Sequence, residues 1–222
     1  MKRATQHAGS APTPRLSSSE VRGGLSAHSV SVVTALNAQL LDGLCEQAIQ
    51  GDCAFPLPER QRARFARLTV PARERIARCS VLLVGAGFAD VERWKAVIEP
   101  NSRPSPRPMS HWLTAVQGQA LAHSTFLLAW HVCQTQVMAA SVLLGMPREV
   151  AAIISKRPVR DLAYLARHHS DWIVPRWGDD AEIWDSLLDL SARVPYEDPV
   201  CLSTRGLQLS GRPAPMLPSG GD

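Results

Sequence analysis

Apolar residues recur at helical spacing through two long stretches of the chain and lose that order at both ends. From His123 to Leu144 they line one face of a long predicted helix, which Gly145 closes as a natural residue past a helix end. Pro147 then opens a short helix that keeps Val150, Ile153 and Ile154 at helical spacing. Lys156-Arg157-Pro158 interrupts the period, and Leu162, Leu165 and Ala166 resume it in the next helix. Trp172-Ile173-Val174 reads as a short extended segment. Asp179 or Asp180 can cap a last helix, Ala181 to Leu190, that turns Ile183, Trp184, Leu187 and Leu188 inward. The earlier stretch repeats this order less cleanly, with Phe55-Pro56-Leu57-Pro58 stiffening its middle turn.

Breaks in the pattern divide the chain. Residues 1–30 are rich in Ser, Ala, Gly, Pro and Arg without an apolar period, and read as a flexible basic arm. Residues 99–109 hold Pro100, Pro104, Pro106 and Pro108, which no helix interior accepts, and read as a linker. Residues 195–222 carry five further prolines and read as a flexible tail, docking at most through Val200, Leu202 and Leu207. Two ordered units remain, 31–98 and 110–194.

The two units resemble one another. A constant shift lays Val70 on Val159, Ile76 on Leu165, Ala77 on Ala166 and Arg78 on Arg167. The same shift lays Leu83-Val84 on Trp172-Ile173, Phe88 on Trp177 and Asp90 on Asp179, and one inserted residue later Trp94 meets Trp184. Leu40-Leu41 meets Leu127-Leu128 with a small gap. The expectation is a mainly α protein of two tandem helical units, each with a helix–turn–helix-like hairpin and a short extended segment.

Composition narrows the class. At 222 residues with 45% apolar and 20% charged side chains, the chain has globular usage and enough length for a real core. The richest apolar run, Val137 to Met146, falls short of the ~20 residues of a membrane helix, so no membrane association is expected. Met1-Lys2-Arg3 precedes polar residues rather than a leader core, and the five scattered cysteines read as reduced thiols of a cytoplasmic protein. The net charge is +4, and 21 of the 24 basic residues are Arg, the side chain suited to bidentate phosphate or carboxylate contacts.

Few motifs point to catalysis. Val81-Leu-Leu-Val-Gly85-Ala-Gly87-Phe-Ala-Asp90 places G-x-G after an apolar segment, as a dinucleotide fingerprint does, but Asp90 stands where a third glycine belongs. The competing reading is a glycine turn leading into a helix capped by Asp90. Adjacent His168 and His169 point to different faces, and His123 and His131 lack a third ligand, so neither a metal nor a cofactor is expected. No nucleophile motif or paired carboxylates appear, and the chain reads as non-enzymatic.

The remaining signal is basic. Between Arg60 and Arg78 lie seven arginines and one acid, Glu74, and Arg60, Arg64 and Arg67 recur as a stripe on one helix face. The second unit carries Arg148, Lys156, Arg157, Arg160 and Arg167 around its hairpin. Such hairpins suit phosphate contacts on duplex DNA, with Arg60, Arg64, Arg67, Arg157 and Arg160 as the contacts; a solvated face or a salt-bridged subunit contact suits them equally. Leu127, Leu128, Val132 and Val142 are core or subunit-interface positions.

One unit also resembles a known family. Phe126-Leu-Leu-Ala129, Gln136, Leu144-Gly145, Glu149, Ala151, Leu162, Leu165-Ala166 and Arg176-Trp177 follow the pattern of the FlhD family, the smaller subunit of the flagellar master regulator. The resemblance spans residues 126–188, with a degenerate copy at 36–98. It implies a helical transcriptional activator that binds DNA in a hetero-oligomer with a FlhC-like, zinc-containing partner and recruits RNA polymerase, at motility or mobile-element genes. Ile173 stands where the family carries its dimer-crosslinking cysteine, and one chain could supply what two family subunits supply. The alternative is a protein–protein adaptor of a secretion or motility system that does not bind DNA.

Overall fold

A computed structural model describes residues 27–50, 55–97 and 112–192. Among them, helices hold 73% of the residues, which bears out the mainly α expectation. The predicted linker, the C-terminal tail and most of the N-terminal arm lie outside the described residues. The arm's last four residues do not: helix α1 starts at Ala27 and runs to Gln50.

Two short helices follow, α2 (Glu59–Ala66) and α3 (Val70–Ala77), joined by the three residues Arg67-Leu68-Thr69. Pro58 precedes α2 in an extended conformation, which its ring and the missing N–H favour at a helix start. A two-residue strand β1 (Val84–Gly85) leads to α4 (Val91–Ala96). Helix α5 (Ala115–Thr135) begins with a capping box between Thr114 and Gln117. The order then repeats as α6 (Val137–Leu144), α7 (Arg148–Ser155), the three residues Lys156-Arg157-Pro158, and α8 (Val159–His168). A single 3-10 turn (Ser170–Trp172), strand β2 (Val174–Pro175) and α9 (Ala181–Ala192) complete it.

The long helix expected from His123 to Leu144 is broken. It starts earlier, at Ala115, and Gln136 interrupts it with φ −151° and ψ 75°. The Thr135 hydroxyl donates to the His131 carbonyl (2.9 Å), a local bond that competes with the helix ladder. Gly145 closes α6 at φ 65°, as its missing Cβ permits.

The strands are short because they serve as one crossing point. β1 pairs antiparallel with β2, Val84 opposite Pro175 and Gly85 opposite Val174. Asn37, fully buried on α1, holds the approach to β1: its amide donates to the carbonyls of Ala77 (3.2 Å), Cys79 (3.4 Å) and Val81 (3.0 Å), and its oxygen accepts from the Leu83 N–H (2.8 Å).

The core runs through both halves. α4 packs against α7, and α9 against α2 and α3, so the last helix of each half covers the hairpin of the other. Trp94 of α4 lies between Phe126 (centroids 5.7 Å apart) and Trp172 (5.3 Å) of the later half. Trp184 of α9 meets Phe65 of the earlier half at 5.8 Å. Trp94 and Trp184 are fully buried and anchor one continuous apolar cluster, each worth about 3–5 kcal/mol against truncation to Ala.

Matching local geometry recurs at a shift of 90 residues. Gly87 and Trp177 both take positive φ (63° and 55°). Asp90 accepts from the Arg93 N–H (3.0 Å) and Asp180 from the Ile183 N–H (3.3 Å), each capping its helix. Asp90 therefore corresponds to Asp180 rather than to Asp179, and Trp177 to Gly87 rather than to Phe88. The extra residue enters before the strands: α3 and α8 start 89 residues apart at Val70 and Val159, whereas β1 and β2 start 90 apart at Val84 and Val174.

Candidate nucleic-acid interface

The arginine stripe read from the sequence divides on folding. Arg60 reaches Asp185 (3.1 Å), and Arg64 reaches Asp185 (2.9 Å) and Asp189 (2.5 Å), carboxylates one turn apart on α9. Gln61, buried between them, donates to Asp185 (3.2 Å) and to the Ala181 carbonyl (3.2 Å). These arginines tie α2 to the helix that crosses over it. Arg73 pairs with Asp42, Arg62 with Glu59, and Arg75 donates to the Ser191 carbonyl at the end of α9. Arg67, past the end of α2, and Arg78, past the end of α3, are exposed and form no ion pair among the described residues.

The second hairpin divides in the same way. Arg157 is half-buried, donating to the Val97 carbonyl (3.1 Å) beyond α4, with Asp161 at 3.9 Å. It closes the contact of this hairpin with α4 and is a structural cation. Arg160, with a side chain 88% exposed, has only Asp161 at 3.8 Å. Lys156 and Arg167 are exposed and form no ion pair among the described residues. The outward face of α8 thus presents Arg160, Tyr164, Arg167 and His168, the Tyr164 and His168 rings 4.0 Å apart. Arg67, Arg78, Lys156 and Arg167 all sit at helix C-terminal ends, where a cation also complements the helix dipole by about 0.3–1 kcal/mol.

The apolar positions named from the sequence separate too. Leu128 and Val132 are buried in the core. Leu127 and Val142 are 40% and 41% exposed, so the core reading fails for them; Leu127 also does not match buried Leu40. α6 also exposes Val137 and Met138, which the sequence reading did not single out.

Gly85 packs against the Val174 backbone, where a Cβ would lie 3.2 Å from the carbonyl oxygen. Arg93 folds back beside Gly87, so that a Cβ there would lie 3.2 Å from its Nη1, and stacks over Trp172 at 5.1 Å. The glycine turn leading to a helix capped by Asp90 is the reading that fits. His168 and His169 face different rings, Tyr164 and Trp172. Among the described residues no group of three His, Cys, Asp or Glu side chains could hold a metal ion, and no single helix is long and apolar enough to cross a membrane. Burial pushes the Cys45 and Cys133 thiols up to about 11 and raises Cys79 as well, so these thiols are poor nucleophiles.

One buried cation has a structural task. Arg176 lies over the Trp177 ring at 4.3 Å and donates to the carbonyls of Leu143 (3.1 Å) and Leu82 (3.4 Å). Burial lowers its pKa to about 10, which still leaves it charged at neutral pH. Its guanidinium occupies the space beside Gly145, joining the end of α6 to the crossing strands.

In comparison with known proteins, no family model matches the chain, and neither a curated protein nor a solved structure matches it.

Proposed function

We propose that the chain is a cytoplasmic, non-enzymatic, duplex-DNA-binding transcriptional activator subunit of FlhD-like type. It is built from two tandem helical units, each presenting a helix–turn–helix hairpin, and works in an oligomer with a FlhC-like, zinc-containing partner that supplies base readout and RNA polymerase contact. The observation that carries this reading is the α7–α8 hairpin. Two short helices joined by three residues hold Lys156, Arg160 and Arg167 outward, with one weakly placed carboxylate among them. Such cations attract phosphate and position a protein on a duplex without specifying sequence. The recurrence of hairpin, crossing strand and capped last helix in the same order, the hairpins 89 and the strands and caps 90 residues apart, supports the tandem reading.

The test is a mobility-shift titration over a salt series, with and without a FlhC-like partner. Affinity should fall linearly with salt on logarithmic axes. Binding without salt dependence, or none in either condition, rejects the DNA role.

The exposed Leu127, Val137, Met138 and Val142 favour a second reading, an adaptor of a secretion or motility system that binds protein alone. Affinity purification would then recover a partner whose capture fails with Met138→Asp, while duplex DNA is ignored.

A further inference from the structure

The cations of the two hairpins that have no partner among the described residues fall at matching places. Arg67 and Lys156 stand in the turns, directly after α2 and α7. Arg78 and Arg167 stand at the ends of α3 and α8. One shift of 89 residues relates both pairs. The same shift relates Val70 to Val159, the first residues of α3 and α8, both exposed (55% and 45%). The hairpins differ in nearly every other surface position: Pro71 faces Arg160, Glu74 faces Ala163, and Arg75 faces Tyr164 across the shift. What the hairpins share on their outer surface is a turn cation, an apolar contact and a terminal cation.

The pairing of the strands relates these two surfaces. Val84–Gly85 and Val174–Pro175 hold equivalent places in the two halves and pair antiparallel with each other. Such a pair has a local two-fold axis between its strands. Each half also sends its last helix onto the other's hairpin, α4 onto α7 and α9 onto α2 and α3. Duplex DNA has two-fold axes of its own, and a protein whose hairpins are related by a two-fold engages both strands in the same way.

We infer that one chain grips duplex DNA at two half-sites, one per hairpin, through Arg67 and Arg78 on one and Lys156 and Arg167 on the other. This rests on the DNA-binding reading above and adds to it a stoichiometry and a second, equivalent contact surface. The first hairpin's Arg60 and Arg64 take no part, being held by Asp185 and Asp189.

The test is fluorescence anisotropy with the full chain and a mixed-sequence duplex of about 40 base pairs, several times the ~10-base-pair spacing of half-sites. Three variants are compared over a salt series: R67A/R78A, K156A/R167A and the fourfold combination. All four side chains are exposed and each loses only its helix-dipole contribution of about 0.3–1 kcal/mol, so the variants should still fold, and the melt is measured alongside to show it. Each double variant should lower the slope of log affinity against log salt by about two, and the fourfold variant by about four. Loss confined to one double variant, with the other at the parent slope, overturns the two-site inference and leaves DNA binding standing. Absence of salt-dependent binding by the parent chain overturns both.

Discussion

Asn37 offers the sharpest test of how the crossing point is held. Its side chain is fully buried and makes four hydrogen bonds to residues 40 to 46 positions away. Replacement by Leu keeps the volume but removes every partner. The Leu83 N–H and the carbonyls of Ala77 and Val81 are then orphaned in a site without water access. At about 1–3 kcal/mol for each buried orphan, and with the longer bonds counted at the low end, the loss is about 3–5 kcal/mol. That is a large part of the roughly 5–15 kcal/mol that holds a domain of this kind. Asn37→Asp separates donor from acceptor: it still accepts from Leu83 but turns a carboxylate oxygen on three carbonyls, so it should cost at least as much. Urea unfolding followed by tryptophan fluorescence reads both, as a lowered midpoint at unchanged slope. A cost below about 1 kcal/mol for N37L refutes the reasoning, because segment 77–83 must then satisfy its backbone without α1.

Other outcomes follow from single contacts. Gly145→Ala places a Cβ 2.8 Å from the Arg176 Cζ at φ 65°, and should cost about 2–4 kcal/mol in the same assay; Gly145→Asn, which tolerates this φ, should cost nearly as much if the clash dominates. Arg64 and Asp185 are each about one-third exposed, so a double-mutant cycle should return only about 0.5–1 kcal/mol of coupling, falling in high salt. Burial holds the His169 imidazole below its ordinary 6.5, with Asp171 opposing and His168 and Arg93 assisting. The neutral form is thus favoured on folding: the stability it contributes is complete above 6.5 and is lost as pH falls toward the lower folded value. His169→Gln should flatten that acid limb of the stability–pH curve.

Local signals were legible where one residue decides a local event. Gly145 ended α6, Pro147 opened α7, Asp90 capped α4, and Ile183, Trp184, Leu187 and Leu188 turned inward together. The crossing of α4 and α9 was not legible, because periodicity identifies a buried face without saying which half of the chain covers it. Gln136 escaped for a related reason: the apolar period persists across the break, and only the Thr135 hydroxyl marks it. Two signals could have exposed the fate of the stripe. Asp185 and Asp189 sit one turn apart on the helix bearing Trp184, a spacing that matches Arg60 and Arg64, and Gln61 occupies an apolar place between those arginines.

That complementarity changes what the basic count means. Seven arginines between Arg60 and Arg78 suggest a surface charged throughout, yet five of them satisfy acids or carbonyls of this chain. If the cluster existed only to hold α9, the two arginines left over would have no reason to fall at particular places. They fall where the other hairpin, under a different set of internal pairings, also leaves cations free: one in the turn and one at the end of the second helix. Complementing a helix dipole accounts for a cation at a C-terminus, but any residue of the last turn can do that. It does not account for the same two positions being chosen in both hairpins while Arg160, Tyr164 and Ala163 give way to Pro71, Arg75 and Glu74. A polyanion contacting both hairpins, as proposed above, would make that shared demand, and the anisotropy slopes of the two double variants test it.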